Sequence, residues 1–172
     1  IPLLLLGGAN QITAKSGNVT VTNQSNLTTR GLGSPALLLQ SIAGGGGAVQ
    51  SLDDAYAGEI LFGYDSESIA SGLQFSSGSI NFTSLNGSIV STSGERSAAA
   101  ILQSIGGGGG WGLVNSRTHS TLGIDTPIRS PLPFIGTATG GSITANVDGT
   151  LQTTGNSSPA FTAQSIGGGG GF

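Results

Sequence analysis

The side chains able to do chemistry are few and fall in two places. The chain has 172 residues and one histidine, His119, within Arg117-Thr118-His119-Ser120-Thr121, with Asp125 shortly after. Ser120 or another serine, with His119 and Asp125, would supply a nucleophile, a base and an orienting carboxylate. No G-x-S-x-G elbow is present to expose a serine at a strand end, so His119 reads as a solvated loop residue. The carboxylates Asp53, Asp54, Glu59, Asp65 and Glu67 form a second cluster. Their hard oxygens could bind Ca²⁺, and a facing pair could hydrolyse a glycoside. The spacing fits neither an EF-hand nor the GGxGxD calcium repeat, and dispersed charge that keeps a surface soluble is the plainer reading. The expectation is no catalytic residue, no metal and no cofactor: not an enzyme. The alternative is a carbohydrate-active β-helical enzyme with its carboxylate site at Asp53–Glu67.

Composition narrows the classes further. There are 32 glycines and no cysteine, and only 8% of residues are charged. Disulfide staples and cysteine-held metals are excluded. A net charge of −3 argues against phosphate-backbone binding, so no nucleic-acid partner is expected. A mean hydropathy of +0.18 argues against a solvated disordered tail. No apolar run reaches the ~18 to 20 residues of a membrane span. The longest, Ile1-Pro2-Leu3-Leu4-Leu5-Leu6, ends at Gly7-Gly8. It reads as a buried strand, or as an exposed strand that docks on a neighbouring copy. A start at Ile1 suggests a processed or excised piece. The glycine runs lack the Lys-Ser/Thr of a phosphate loop.

These residues are organised by an internal repeat. QSIAGGGG occupies Gln40 to Gly47, and QSIGGGGG occupies Gln103 to Gly110 and Gln164 to Gly171, 63 and 61 residues apart. Upstream, Ser34-Pro35-Ala36 matches Ser97-Ala98-Ala99 and Ser158-Pro159-Ala160. Earlier still, Gly17-Asn18-Val19-Thr20-Val21 matches Gly78-Ser79-Ile80-Asn81-Phe82 and Gly141-Ser142-Ile143-Thr144-Ala145. Stretches 48–77 and 111–140 vary in sequence but keep their length. The chain reads as one block, 1–172, of three imperfect repeats at about 1–47, 48–110 and 111–172.

Within each repeat, apolar residues two apart alternate with Thr, Ser and Asn, which is the strand signature. Val19 and Val21, or Ile80 and Phe82, are examples. Ala98 to Leu102 could form a helical turn, but the matching segments carry Pro35 and Pro159. The spacing therefore predicts an all-β parallel β-solenoid with Gly-rich turns or Gly-run segments, in which each coil covers the next. At roughly 20 residues per coil this means about eight coils and a rod about 40 Å long; two coils of about 31 residues per repeat are the other option. The glycine runs fit positive-φ turns or close backbone approach, packed glycine strands, or a flexible loop. Gln40, Ile42, Gln103, Ile105, Gln164 and Ile166 are the predicted core positions of the repeat. Trp111 and Phe172 each follow a glycine run and could stack on a neighbouring copy or join the core.

The segment from Leu151 to Gly171, LQTTGNSSPAFTAQSIGGGGG, and its two copies resemble the Gly-rich repeats in passenger regions of large autotransporter-type surface proteins of Gram-negative bacteria. The resemblance covers the three repeat cores and implies a right-handed parallel β-helix displayed outside the cell. The expected function is a non-catalytic extracellular structural protein: a stalk or subunit of a bacterial surface adhesin or fibre. Its partners would be further copies of itself, as a homo-oligomer or filament, and a host-cell or matrix surface or glycan. Uncapped coil faces promote end-to-end association. Ile1, Leu3, Leu4, Leu5, Leu6, Trp111 and Phe172 are the candidate contacts.

Overall fold

The computed structural model describes residues 3–6, 13–51, 59–62, 72–114, 128–129, 136–168 and 170–171. Among them every regular element is a strand. The first repeat contributes β1 (Leu3–Leu6), β2 (Thr13–Lys15), β3 (Val19–Asn23), β4 (Leu27–Thr29), β5 (Leu37–Ile42) and β6 (Gly46–Ser51). The second contributes β7 (Glu59–Phe62), β8 (Leu73–Ser76), β9 (Ile80–Ser84), β10 (Ile89–Thr92), β11 (Ala100–Ile105) and β12 (Gly109–Val114). The third contributes β13 (Ile128–Arg129), β14 (Gly136–Thr139), β15 (Ile143–Val147), β16 (Thr150–Thr153), β17 (Phe161–Ile166) and β18 (Gly170–Gly171). Ala100–Ile105 is extended, so the alanine run is not a helical turn.

The strands form six parallel three-stranded sheets, and each sheet takes one strand from each repeat. The second repeat always supplies the middle strand. In the β5–β11–β17 sheet Gln40 pairs with Gln103 and Gln103 with Gln164. The chain therefore returns to the same sheet after 63 and then 61 residues. This overturns the expected coil of about 20 residues, and the option of about 31. One repeat is one tier, and three tiers at the usual strand spacing are about 14 Å thick instead of about 40 Å. The circuit is long because six strands lie along each tier. The repeat boundaries at 47/48 and 110/111 fall inside β6 and β12.

Alternation decides which side chains point inward. On β9, Ile80, Phe82 and Ser84 are buried while Asn81 and Thr83 face out. Ile80 and Phe82 join Leu39, Ala100 and Leu102 in the main apolar cluster, flanked by Val19, Val21, Leu37, Ile143 and Leu151. A second cluster lies on the opposite face of β11, where Ile101 packs with Ala98, Trp111, Leu38 and Leu113. A third surrounds Phe75. Strand β11 is thus covered on both faces, and all six of its residues are buried. Its counterparts are less covered, because among the described residues each outer tier has a neighbour on one side only. Phe161, in register with Ala100, is 39% exposed.

The first two glycine runs share one backbone conformation. Gly45, Gly46 and Gly47 have φ of 91°, 131° and 144°, and Gly108, Gly109 and Gly110 repeat them at 92°, 141° and 152°. Side chains disfavour that region, and here they are also sterically excluded. A Cβ on Gly46 would overlap the Gly109 carbonyl oxygen, and one on Gly110 the Gly47 carbonyl oxygen. Glycine is needed for both reasons at once: the conformation and the tier-to-tier approach. The runs enter β6 and β12 as parallel strands, which removes the flexible-loop reading.

Candidate functional site

The residues that recur in every repeat come together as columns running through the tiers. The glutamine column is the most polar. Gln103 is fully buried between β11 and β12. Its amide Nε2 donates to Gln164 Oε1 at 2.8 Å and to the Gly110 carbonyl at 3.2 Å, and its Oε1 accepts from Gln40 Nε2 at 2.8 Å. Gln40 Nε2 also donates to the Gly47 carbonyl at 2.9 Å. One side chain thus ties its own glycine strand and the next tier together. The close glycine strand is what brings a carbonyl within reach.

Two serine columns do similar work. Ser104 Oγ, fully buried, donates to the Gly78 carbonyl and accepts from Gly141 N, both at 2.8 Å. Ser41 Oγ makes the matching bonds to the Gly17 carbonyl and Gly78 N, and Ser165 Oγ donates to the Gly141 carbonyl. In the other column Ser34 N donates to Ser97 Oγ at 2.9 Å and Ser97 N to Ser158 Oγ at 3.0 Å. Ser97 Oγ donates to the Gly31 carbonyl and Ser158 Oγ to the Gly94 carbonyl. The threonines Thr29, Thr92 and Thr153 close the loop before each of these serines by donating to the carbonyls of Ser34, Ser97 and Ser158. A buried hydroxyl left unpaired is costly, so this pairing lets polar side chains fill a core that has few large apolar ones. Asn23 Nδ2 is the one buried side-chain polar atom without a partner among the described residues.

The predicted core positions Gln40, Gln103 and Gln164 share one row of the β5–β11–β17 sheet, and Ile42, Ile105 and Ile166 another. Of the two readings of Trp111, a contact between copies or a core residue, the structure supports the core. The residue is 6% exposed and packs with Ile101 and Ala98, because the glycine strand that precedes it runs beside β11. Leu3–Leu6 form an edge strand paired with Glu59–Phe62, and among the described residues their other backbone edge has no strand partner. Ile1 and Phe172 lie outside the described residues, as do Asp53, Asp54, Asp65, Glu67, His119, Ser120 and Asp125; Glu59 starts β7. Among the described residues no group of three or more His, Cys, Asp or Glu could hold a metal. No described helix is long and apolar enough to cross a membrane.

The serine and threonine columns were not singled out as core positions from sequence. Their signal was the same recurrence that marked glutamine and isoleucine: Ser41, Ser104 and Ser165 sit between those two residues in each copy. Serine is so common in this chain that residue type alone does not separate a column member from a surface residue. No family model matches the sequence, and neither a curated protein nor a solved structure is significantly similar to it.

Proposed function

We propose that the chain is a parallel β-solenoid, a right-handed β-helix, serving as a non-catalytic structural protein outside the cell. It is a stalk or subunit of a bacterial surface adhesin or fibre and associates end to end with further copies. It would contact a host-cell or matrix surface or glycan through its outward polar rows. The observation that carries this reading is the in-register stacking of three repeats in six parallel sheets, whose outer strands each keep one edge unpaired among the described residues. Unpaired parallel edges are templates for more of the same pairing. A contact that repeats without closing gives a fibre. The resemblance of the QSIG repeats to autotransporter passengers supports the extracellular setting.

Electron microscopy of the purified chain tests this reading. The expected image is rods or fibres with strands across the long axis and a spacing of about 4.8 Å along it. Isolated globular particles at all concentrations would refute it. Turnover of a polysaccharide by the same material would refute the non-catalytic part.

A further inference from the structure

The columns have a direction. From first tier to second, and from second to third, the same donor meets the same acceptor. Gln40 Nε2 donates to Gln103 Oε1, and Gln103 Nε2 to Gln164 Oε1. Ser34 N donates to Ser97 Oγ, and Ser97 N to Ser158 Oγ. In return Ser97 Oγ donates to the Gly31 carbonyl, and Ser158 Oγ to the Gly94 carbonyl. Gly78 N donates back to Ser41 Oγ, and Gly141 N to Ser104 Oγ.

Among the described residues the first and third tiers therefore present unlike and complementary faces. The third-tier face presents Gln164 Nε2 and Ser158 N as donors, and the Gly155 carbonyl and Ser165 Oγ as acceptors. The first-tier face presents Gln40 Oε1 and Ser34 Oγ as acceptors, and Gly17 N and the Ser34 hydroxyl as donors. Among the described residues no donor reaches Gln40 Oε1, and Ser34 Oγ has only a 3.4 Å bond to the Leu32 carbonyl. Resting on the fibre reading above, we infer that the third-tier face binds the first-tier face of a second copy of this chain, head to tail and with strands parallel. Gln164 Nε2 then meets Gln40 Oε1 of that copy, Ser158 N meets its Ser34 Oγ, and its Gly17 N meets Ser165 Oγ. A two-fold contact would set a face against itself. Its strands would run antiparallel, a pairing that none of the six sheets uses, and Gln164 Nε2 would find no first-tier acceptor.

Glycine columns sharpen the inference. A Cβ on Gly78 would overlap the Gly17 carbonyl, and one on Gly141 the Gly78 carbonyl. The same position in the first tier, Gly17, has nothing within 4 Å. On the other face, a Cβ on Gly44 would lie 2.5 Å from the Gly107 carbonyl carbon, while its third-tier counterpart Gly168 has nothing within 4 Å. Neither Gly17 nor Gly168 has a positive φ of the kind that only glycine tolerates. Alanine at either position fits the single chain and fits the head-to-tail contact only by overlapping backbone.

The test is analytical ultracentrifugation of the 172-residue chain, the variants Gly17→Ala and Gly168→Ala, and their equimolar mixture. Circular dichroism and thermal unfolding check each fold. The wild type should assemble. Each variant alone should need about ten- to a hundredfold higher concentration to associate, as overpacking of a close contact implies. The mixture should stop at a heterodimer, because the Gly17→Ala chain keeps its third-tier face and the Gly168→Ala chain its first-tier face. Gln164→Glu is the second probe: it still accepts from Gln103 but turns the outward donor into an acceptor, and it should weaken assembly alike. Variants that assemble as the wild type does, or that stay monomeric when mixed, would overturn the polar contact while leaving the fibre reading intact. A wild type that stays monomeric up to its solubility limit would overturn both.

Discussion

Replacing Gln103 by leucine removes the centre of the glutamine column at nearly constant volume. Three groups then lose a partner: the Gly110 carbonyl, Gln164 Oε1 and one N–H of Gln40. Gly110 is buried, so its carbonyl bears most of the penalty, about 2–3 kcal/mol. Gln164 and Gln40 are half-buried, and Gln40 Nε2 keeps its bond to Gly47, so each adds about 1 kcal/mol or less. Leucine returns about 1–2 kcal/mol of apolar burial. The expected net loss is about 2–3 kcal/mol, or about 1 M in the urea midpoint for a chain of this size. Equilibrium urea unfolding followed by circular dichroism measures it. Gln103→Glu separates bonding from packing. A buried carboxyl titrates above its unfolded value of about 4.3. That variant should be most stable below pH 4.3 or so and lose stability as pH rises through the folded value. Wild-type stability in Gln103→Leu, or a gain, would show that the column contributes nothing net and would refute the reasoning.

Other consequences are simpler. Gly110→Ala should destabilise by about 3 kcal/mol or more, because its φ of 152° and its approach to the Gly47 carbonyl both exclude a Cβ; thermal unfolding reads this. Phe82→Ala, fully buried in the middle tier, should cost about 3–5 kcal/mol, whereas Phe161→Ala, 39% exposed, should cost about 1 kcal/mol; the pair is compared by chemical denaturation. Arg96 has a φ of 53° at an exposed turn, where the matching residue of the first repeat is Gly33. Arg96→Gly should stabilise by about 0.5–1 kcal/mol, seen as a higher urea midpoint.

Much of the strand content was legible in the residues themselves. Period-two alternation at Val19–Val21, Ile80–Phe82 and Ile143–Ala145 is local, and a strand shows it whatever it pairs with. The place of Trp111 was not legible in this way. Trp111 follows a glycine run, a position that fits a core residue or a contact between copies equally well, and it is buried, because burial depends on what the chain lays over it. Residue counts gave no access to the columns of Ser41, Ser104 and Ser165, since a serine becomes a core residue only when a glycine carbonyl from another strand lies beside it.

The sequence by itself determined three things: that the chain is built of strands, that its repeats recur at 63 and 61 residues, and which side chains alternate inward. Only the tertiary structure decided the length of the circuit. Strand patterning records which face of a strand is covered but not how far along the chain its partner lies. It also decided that β11 is covered on both faces, that the first two glycine runs enter β6 and β12 with positive φ, and that the glutamine column points one way. Each of these depends on a neighbour about sixty residues distant, and local residue patterns carry no record of that neighbour.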